Sequence, residues 1–266
     1  MRNLVVCLLF AVGLHAATLL DEGYREMYNL QFDVAHRTFA SYEQQSPADP
    51  MGPVSDAAAY LFSEFDRLRI LQSQFLTDDA NFFSGFHKLN ADPAAKQQFE
   101  AALAKTQQLA DAELSAKPGD GNAMMAATMR LGLHSDYLAL IEKRNMAALS
   151  EVKQGRVMAE QLLARHPDYY DAYIAVGLEN YLLSQKAAPV RWILRATGSQ
   201  TDKQTGVEKI RLTAEKGHYL LPYARLLLAV ADLRDHAPQR AKEKLVWLSS
   251  EFPQNQLYRD ELAKLN

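Results

Sequence analysis

The 266 residues contain a single cysteine, Cys7, inside an apolar opening segment. Everything downstream is therefore without disulfides, thiolate metal sites or a cysteine nucleophile. Glycine and proline are sparse, at 12 and 10 residues, which leaves no long turn-rich or low-complexity stretch. Basic charge shows no excess either, with 29 Lys and Arg against 32 Asp and Glu. A nucleic-acid partner, which calls for a basic face, is not expected. The longest apolar run, Leu4 to Leu14, falls short of the roughly 20 residues that span a bilayer. With Arg2 before it and Ala16 and Ala17 after it, the run reads as a secretory signal peptide over 1–17. Cleavage near Ala16 or Ala17 would leave 18–266 as one exported domain, periplasmic or secreted.

Signatures of chemistry are equally scarce. No serine sits between glycines as G-x-S-x-G, and no G-x-x-x-x-G-K phosphate loop occurs. The closest histidines, His218 and His236, are too far apart for a helical zinc pair, which needs a spacing of three or four. The local acid pairs Asp21–Glu22 and Asp78–Asp79 point different ways on a helix and suit its first turn rather than catalysis. No metal, no cofactor and no catalytic residue are expected.

What is present is helix-forming composition: hydrophobic content of 48%, charged content of 23%, abundant Ala and Leu, and Gln, Glu, Lys and Arg at the polar positions. Alternating runs long enough for a sheet are missing, so the chain reads as all-α. The apolar period predicts helices over 19–31, 34–45, 54–77, 79–89, 93–116, 121–142, 145–165, 169–185, 188–196, 203–216, 220–234, 237–251 and 255–264. Pro47, Pro50 and Pro53 and the "KPGDG" at 117–121 punctuate them, and Asp92 and Asp168 are suited to helix starts.

One spacing recurs. Ala35, Phe39 and Pro47 are matched by Ala241, Leu245 and Pro253, and Gly23 precedes Ala35 by twelve residues. A small residue admits a neighbouring backbone, a bulky one fills the next turn, and proline stops the helix. With "DAYIAVGLENY" at 171–181, which carries Tyr173, Val176, Gly177 and Tyr181, and with Leu228 and Ala229 in register before Ala241, the pattern resembles the tetratricopeptide repeat, whose period is about 34 residues. The clearest units are 20–47, 171–216 and 222–253. A weaker one ends at Pro167 after Gly155 and Ala159, and the stretch 184–206 interrupts the second unit.

The resemblance implies stacked antiparallel helical hairpins, irregular and partly closed, and a concave face that binds a protein or an extended peptide. By analogy with the family, Ile174, Leu178, Tyr181 and Leu182 from one unit and Leu226, Val230 and Leu233 from another would line that face. In this reading the protein is a non-catalytic scaffold of the cell envelope. Two rivals stand beside it. A hydrolase or lyase on a helical toroid would draw carboxylates from distant helices into one pocket. A peripheral membrane component would use "APVRWILRA" at 188–196, where Val190, Trp192, Ile193 and Leu194 are flanked by Arg191 and Arg195; otherwise that segment folds back on the neighbouring repeat. "ATGSQTDKQTG" at 196–206 reads as a flexible connection, and Met124, Met125 and Met129 as core filling.

Overall fold

The computed structural model describes residues 18–72, 89–185, 188–196 and 198–265, without the side chains of residues 188, 189 and 193. These residues form twelve α-helices and no strand. α1 covers 18–28, α2 Phe32–Gln45, α3 Met51–Arg67, α4 Pro93–Ala116, α5 Gly121–Asp136 and α6 Asn145–Arg165. α7 covers Tyr173–Ser184, α8 Ala188–Ala196, α9 Lys203–Lys216, α10 Leu221–Arg234, α11 Pro238–Glu251 and α12 Gln256–Ala263. A π-helical turn, Tyr137–Ile141, extends α5, and a 3₁₀ turn, Tyr170–Ala172, leads into α7. The all-α expectation holds. The signal segment expected over 1–17 and, apart from Leu89, the helix expected over 79–89 lie outside the described residues.

Helices pack on their neighbours in sequence from α2 through α7, then α7 on α9, and onward to α12, while α3 also reaches α5. The two kinds of connection differ in a regular way. α1, α3, the π turn after α5, and α10 each end in a residue of positive φ: Leu30 (61°), Arg69 (58°), Lys143 (58°) and His236 (54°). A left-handed residue lets the next amide reach back to an orphan carbonyl. Gln31 N–H bonds Glu26 C=O, Ile70 bonds Phe65, and Ala237 bonds Asp232, while Arg144 reaches one residue further, to Leu138, after the π turn. This turn is why α3, expected to run to residue 77, stops at Arg67.

α2, α4, α6 and α11 end differently, on Ser46, Lys117, His166 and Phe252, with φ between −121° and −136° and ψ between 63° and 87°. Each is followed by a proline, Pro47, Pro118, Pro167 or Pro253, which disfavours the α region for the residue before it. Twelve and eight residues before each proline the side chains are buried: Ala35 and Phe39, Thr106 and Ala110, Gly155 and Ala159, Ala241 and Leu245. Thr106, Ala110 and Pro118 thus form a fourth copy of the spacing, one whose sequence reads only as a break.

The two ends of the described chain meet. Tyr28 Oη donates to Tyr219 C=O at 2.9 Å, Asn255 Nδ2 donates to Tyr28 C=O at 2.7 Å, and Gln254 N–H donates to Asn29 Oδ1 at 3.1 Å. Tyr24 stacks on Tyr219 with ring centres 4.6 Å apart, and Tyr28 packs against Phe252 at 5.4 Å. α1 is held close to α2 because Gly23 faces the Phe39 ring, where a Cβ would overlap it.

A second, smaller core joins Ile174 and Tyr181 of α7 to Ile210 and Ala214 of α9 and to Ala224 and Leu228 of α10. α7 and α9 approach at Gly177 and Gly206: a Cβ on Gly206 would meet Tyr181 N at 2.6 Å and Gly177 O at 2.9 Å. Glycine is required at that contact because no side chain fits between the two backbones.

Candidate functional site: an apolar chamber with one carboxyl

Five helices and the π turn enclose a chamber of about 320 Å³ beside this smaller core. α6 supplies Met146, Leu149 and Val152, α7 supplies Leu178 and Leu182, and α10 supplies Leu226 and Leu227. Val190 and Leu194 of α8 line a further part, Ala139 and Leu140 of the π turn another, and Leu71 follows α3. A mostly apolar concavity of this size with few polar groups is the usual form of a ligand site. Met146 and Val190 are also among the exposed large apolar side chains, at 80% and 45%, so the chamber continues onto an apolar surface.

Three titratable side chains line it: Asp136, Glu179 and Tyr223. Glu179 is spoken for. Its Oε2 is ion-paired with Arg156 of α6 and its Oε1 accepts from Gln200 N–H at 3.3 Å. Asp136 is the last residue of α5, where the helix passes into its π turn, a distortion that often accompanies functional sites. Tyr223 Oη donates to Asp136 Oδ2 at 3.2 Å, and no cation among the described residues pairs with that carboxyl. Burial among leucines pushes the Asp136 carboxyl up to about 7, against the smaller opposing effect of the tyrosine hydrogen bond. Burial likewise raises Tyr223, and the neighbouring Asp136 adds to the shift, so Tyr223 acts as a neutral donor.

The wall next to Glu179 is held by polar contacts rather than left loose. Asn180 Nδ2 donates to Gln200 Oε1 at 2.7 Å, Asp202 N–H donates to Asn180 Oδ1 at 3.0 Å, and Arg195 Nε donates to Thr201 Oγ1 at 2.6 Å. Ser199 and Thr201 are buried. With Arg156 Nη2 donating to Gly198 C=O and Gln200 Nε2 donating to Glu160 Oε1, the flexible connection expected over 196–206 is corrected for residues 198–202, which these bonds tie to α6, α7 and α8. Asp202 goes on to cap α9 by accepting from Thr205 N–H.

Of the residues expected on a concave face, Leu178, Leu182 and Leu226 meet in the chamber. Ile174 and Tyr181 do not: each is 6% exposed in the core between α7 and α9, because the glycine contact draws that face of α7 inward. Val230 is buried without lining the chamber, and Leu233 is packed against the principal core. Tyr173, expected as a packing residue, is half-buried, stacked on Tyr170 with Lys209 over its ring. α8 divides its residues: Val190 and Leu194 face the chamber, whereas Trp192 is 74% exposed and does not fold back. Arg191 Nη1 reaches Ser184 C=O at 3.5 Å, and the Ile193 side chain lies outside the described residues. Met124, Met125 and Met129 are buried in the principal core.

Asp136 was not a sequence candidate, although an acid inside the apolar "DYLALI" run is its one local signal. Asp171 also escaped notice. Its carboxylate accepts from the backbone N–H groups of His218, Tyr219 and Leu220 at 2.8 to 3.2 Å, so it caps the start of α10 from across the fold. Asp92 caps α4 as expected, accepting from Ala94 and Ala95 N–H, while the start near Asp168 is made by the 3₁₀ turn instead.

Two other arrangements bring no further chemistry. A surface hollow of about 460 Å³ between α9, α10 and α11 is charged, but Lys203 pairs with Asp235, and Arg240 and Lys244 pair with Asp232. Ser150 and Lys153 form an S-x-x-K spacing on α6, yet Ser150 is exposed and neither residue lines the chamber. Among the described residues no three His, Cys, Asp or Glu side chains are grouped to hold a metal ion, and no helix is long and apolar enough to cross a membrane. The sequence matches no protein-family profile and no curated protein.

Proposed function

We propose that the chain is a tetratricopeptide-like array of paired helices that holds an apolar segment of another protein, or an extended peptide, in the chamber between α6, α7 and α10. The observation that carries this reading is the chamber itself: leucines from three helices converge on an accessible hollow whose apolar lining continues outward to exposed Met146 and Val190. Exposed contiguous apolar surface of this kind marks an interaction site more often than a free surface. The array reading draws on the four helices that end at an X-Pro step and the four left-handed turns between them. Export and an envelope location rest on the character of residues 1–17 alone.

The test is a displayed library of extended peptides rich in apolar residues, selected against the protein lacking residues 1–17. Leu182→Gln should weaken the selected peptides by about tenfold or more, since a polar group is placed in the apolar wall, while the melting temperature stays within a few degrees. Failure to select any peptide, or equal binding by the variant, removes the chamber as the site.

A second reading is favoured by one observation, the 74% exposure of Trp192 beside Val190. An exposed tryptophan flanked by Arg191 and Arg195 suits a membrane interface. Flotation with anionic liposomes that is lost in Trp192→Ala would support it, and absence of flotation in the parent would dispose of it. The enzyme reading needs two working carboxylates in one pocket. The chamber has two, but Glu179 is neutralised by Arg156, which leaves Asp136 alone.

A further inference from the structure

We infer that the chamber selects an apolar chain ending in a single ammonium group, and that Asp136 is its counter-ion. This deepens the peptide reading above, on which it rests: the anchor entering the chamber would be a lysine side chain, whose methylene stem suits Leu182 and Leu227 and whose ammonium reaches the carboxyl.

The argument is one of charge accounting inside an apolar enclosure. A carboxylate removed from water needs a partner. Elsewhere in the protein, buried acids have one: Glu179 has Arg156, Glu64 has Arg67, and Asp171 has three backbone amides. Asp136 has only the tyrosine hydroxyl, and both residues line an accessible hollow rather than solid core. The remaining charge around the hollow is cancelled, since Glu179 and Arg156 neutralise each other. An entering anion would meet Asp136 and no cation. A neutral chain would gain apolar burial but leave the carboxyl as it was. A chain with a terminal ammonium gains both the burial and a charge-assisted hydrogen bond. The raised ionisation range of Asp136 is in keeping with a missing cation, because a cation arriving beside it would draw the carboxyl back to its charged form.

The experiment compares three probes of equal length, n-octylamine, n-octanol and octanoate, by calorimetric titration of the protein lacking residues 1–17 near pH 8. The amine should bind at least about tenfold more tightly than the alcohol, and octanoate most weakly, as expected for one charge-assisted contact in an apolar site. Asp136→Asn should abolish the preference and keep alcohol binding. The unaltered protein supplies a check that requires no variant. Between about pH 8 and pH 5 the amine's advantage should shrink as Asp136 takes up its proton, while the alcohol's affinity stays level. Of the groups facing the carboxyl from the surrounding helices, Tyr223 stays neutral across this range and Glu179 is held by Arg156. Equal binding of amine and alcohol, or a preference that survives in Asp136→Asn, overturns the inference and leaves the chamber reading standing. If none of the three probes binds, the chamber reading falls as well.

Discussion

Where the chain ends meet, the polar side chains of four residues brought into the apolar seam find partners: Asn255 donates to Tyr28 C=O and accepts from Tyr258 N–H, Tyr28 Oη reaches Tyr219 C=O, and Ser55 Oγ bonds Tyr24 Oη. The chamber has equally apolar walls but leaves its acid, Asp136, with one long hydrogen bond and open space. Aromatic rings dominate the seam, in a chain of contacts from Tyr219 through Tyr24, Tyr28 and Phe252 to Tyr258 beside a smaller hollow of about 210 Å³, whereas leucines dominate the lining of the chamber, which holds about 320 Å³. The first region has the character of a structural joint and the second that of a site that is stable enough without being complete.

The sharpest way to break this contrast is to hollow out the seam. Phe252 touches Tyr28, Trp247 and Tyr258 and is almost fully buried. Phe252→Ala should cost about 3–5 kcal/mol, the loss of a large buried ring plus the cavity it leaves. Thermal or denaturant unfolding measures this directly. A loss below about 1 kcal/mol would mean that the end-to-end joint contributes little and that α1 is held mainly by the Gly23–Phe39 contact.

The seam and the chamber were not equally legible. Helix bounds for α4, α6, α8, α9 and, within a residue or two, α10 to α12 follow from the apolar period, and α4, α6 and α11 also stop two residues before a proline. The left-handed turns at Leu30, Arg69, Lys143 and His236 carried no signal, since none is a glycine and tertiary packing holds the conformation. Thr106 and Ala110 repeat the Ala35–Phe39 positions with side chains too small or polar to be recognised. In the chamber, analogy with the tetratricopeptide repeat pointed to Leu178, Leu182 and Leu226, but nothing local showed that Gly206 would pull Tyr181 into the α7–α9 core. The pairing of Asp136 with Tyr223 spans 87 residues and depends on how α5 and α10 are brought together, which no spacing encodes.

A smaller effect of opposite sign is expected in the chamber. The Asp136 carboxyl is raised in the fold from its ordinary 3.8 to about 7, so the native state holds this proton more firmly than the unfolded chain. The resulting stabilisation is complete below about pH 4 and is lost as pH rises through 7. Full burial would make a shift of this size worth about 4 kcal/mol, and the opening of the chamber to solvent reduces it to about 2 kcal/mol. Asp136→Asn removes the titration. It should leave stability nearly unchanged near pH 4 and raise it by about 1–2 kcal/mol near pH 8, read from melting curves at the two pH values. A variant less stable than the parent at both would show that the carboxyl is already satisfied, and the difference between seam and chamber would disappear.

Trp192 should give the smallest effect, and its size separates two roles for α8. The helix holds its place through Val190 and Leu194 against the chamber and through Arg195 on Thr201, and none of these contacts passes through the indole. Trp192→Ala should therefore shift stability by less than about 0.5 kcal/mol, the usual range for an exposed side chain without partners to lose. A loss above about 2 kcal/mol would mean that the ring is part of the packing in solution. α8 would then belong with the seam as a closed structural element. A negligible loss instead leaves a large aromatic surface beside the chamber mouth that folding does not require, as expected of a side chain whose contacts are made with a ligand or surface outside the protein.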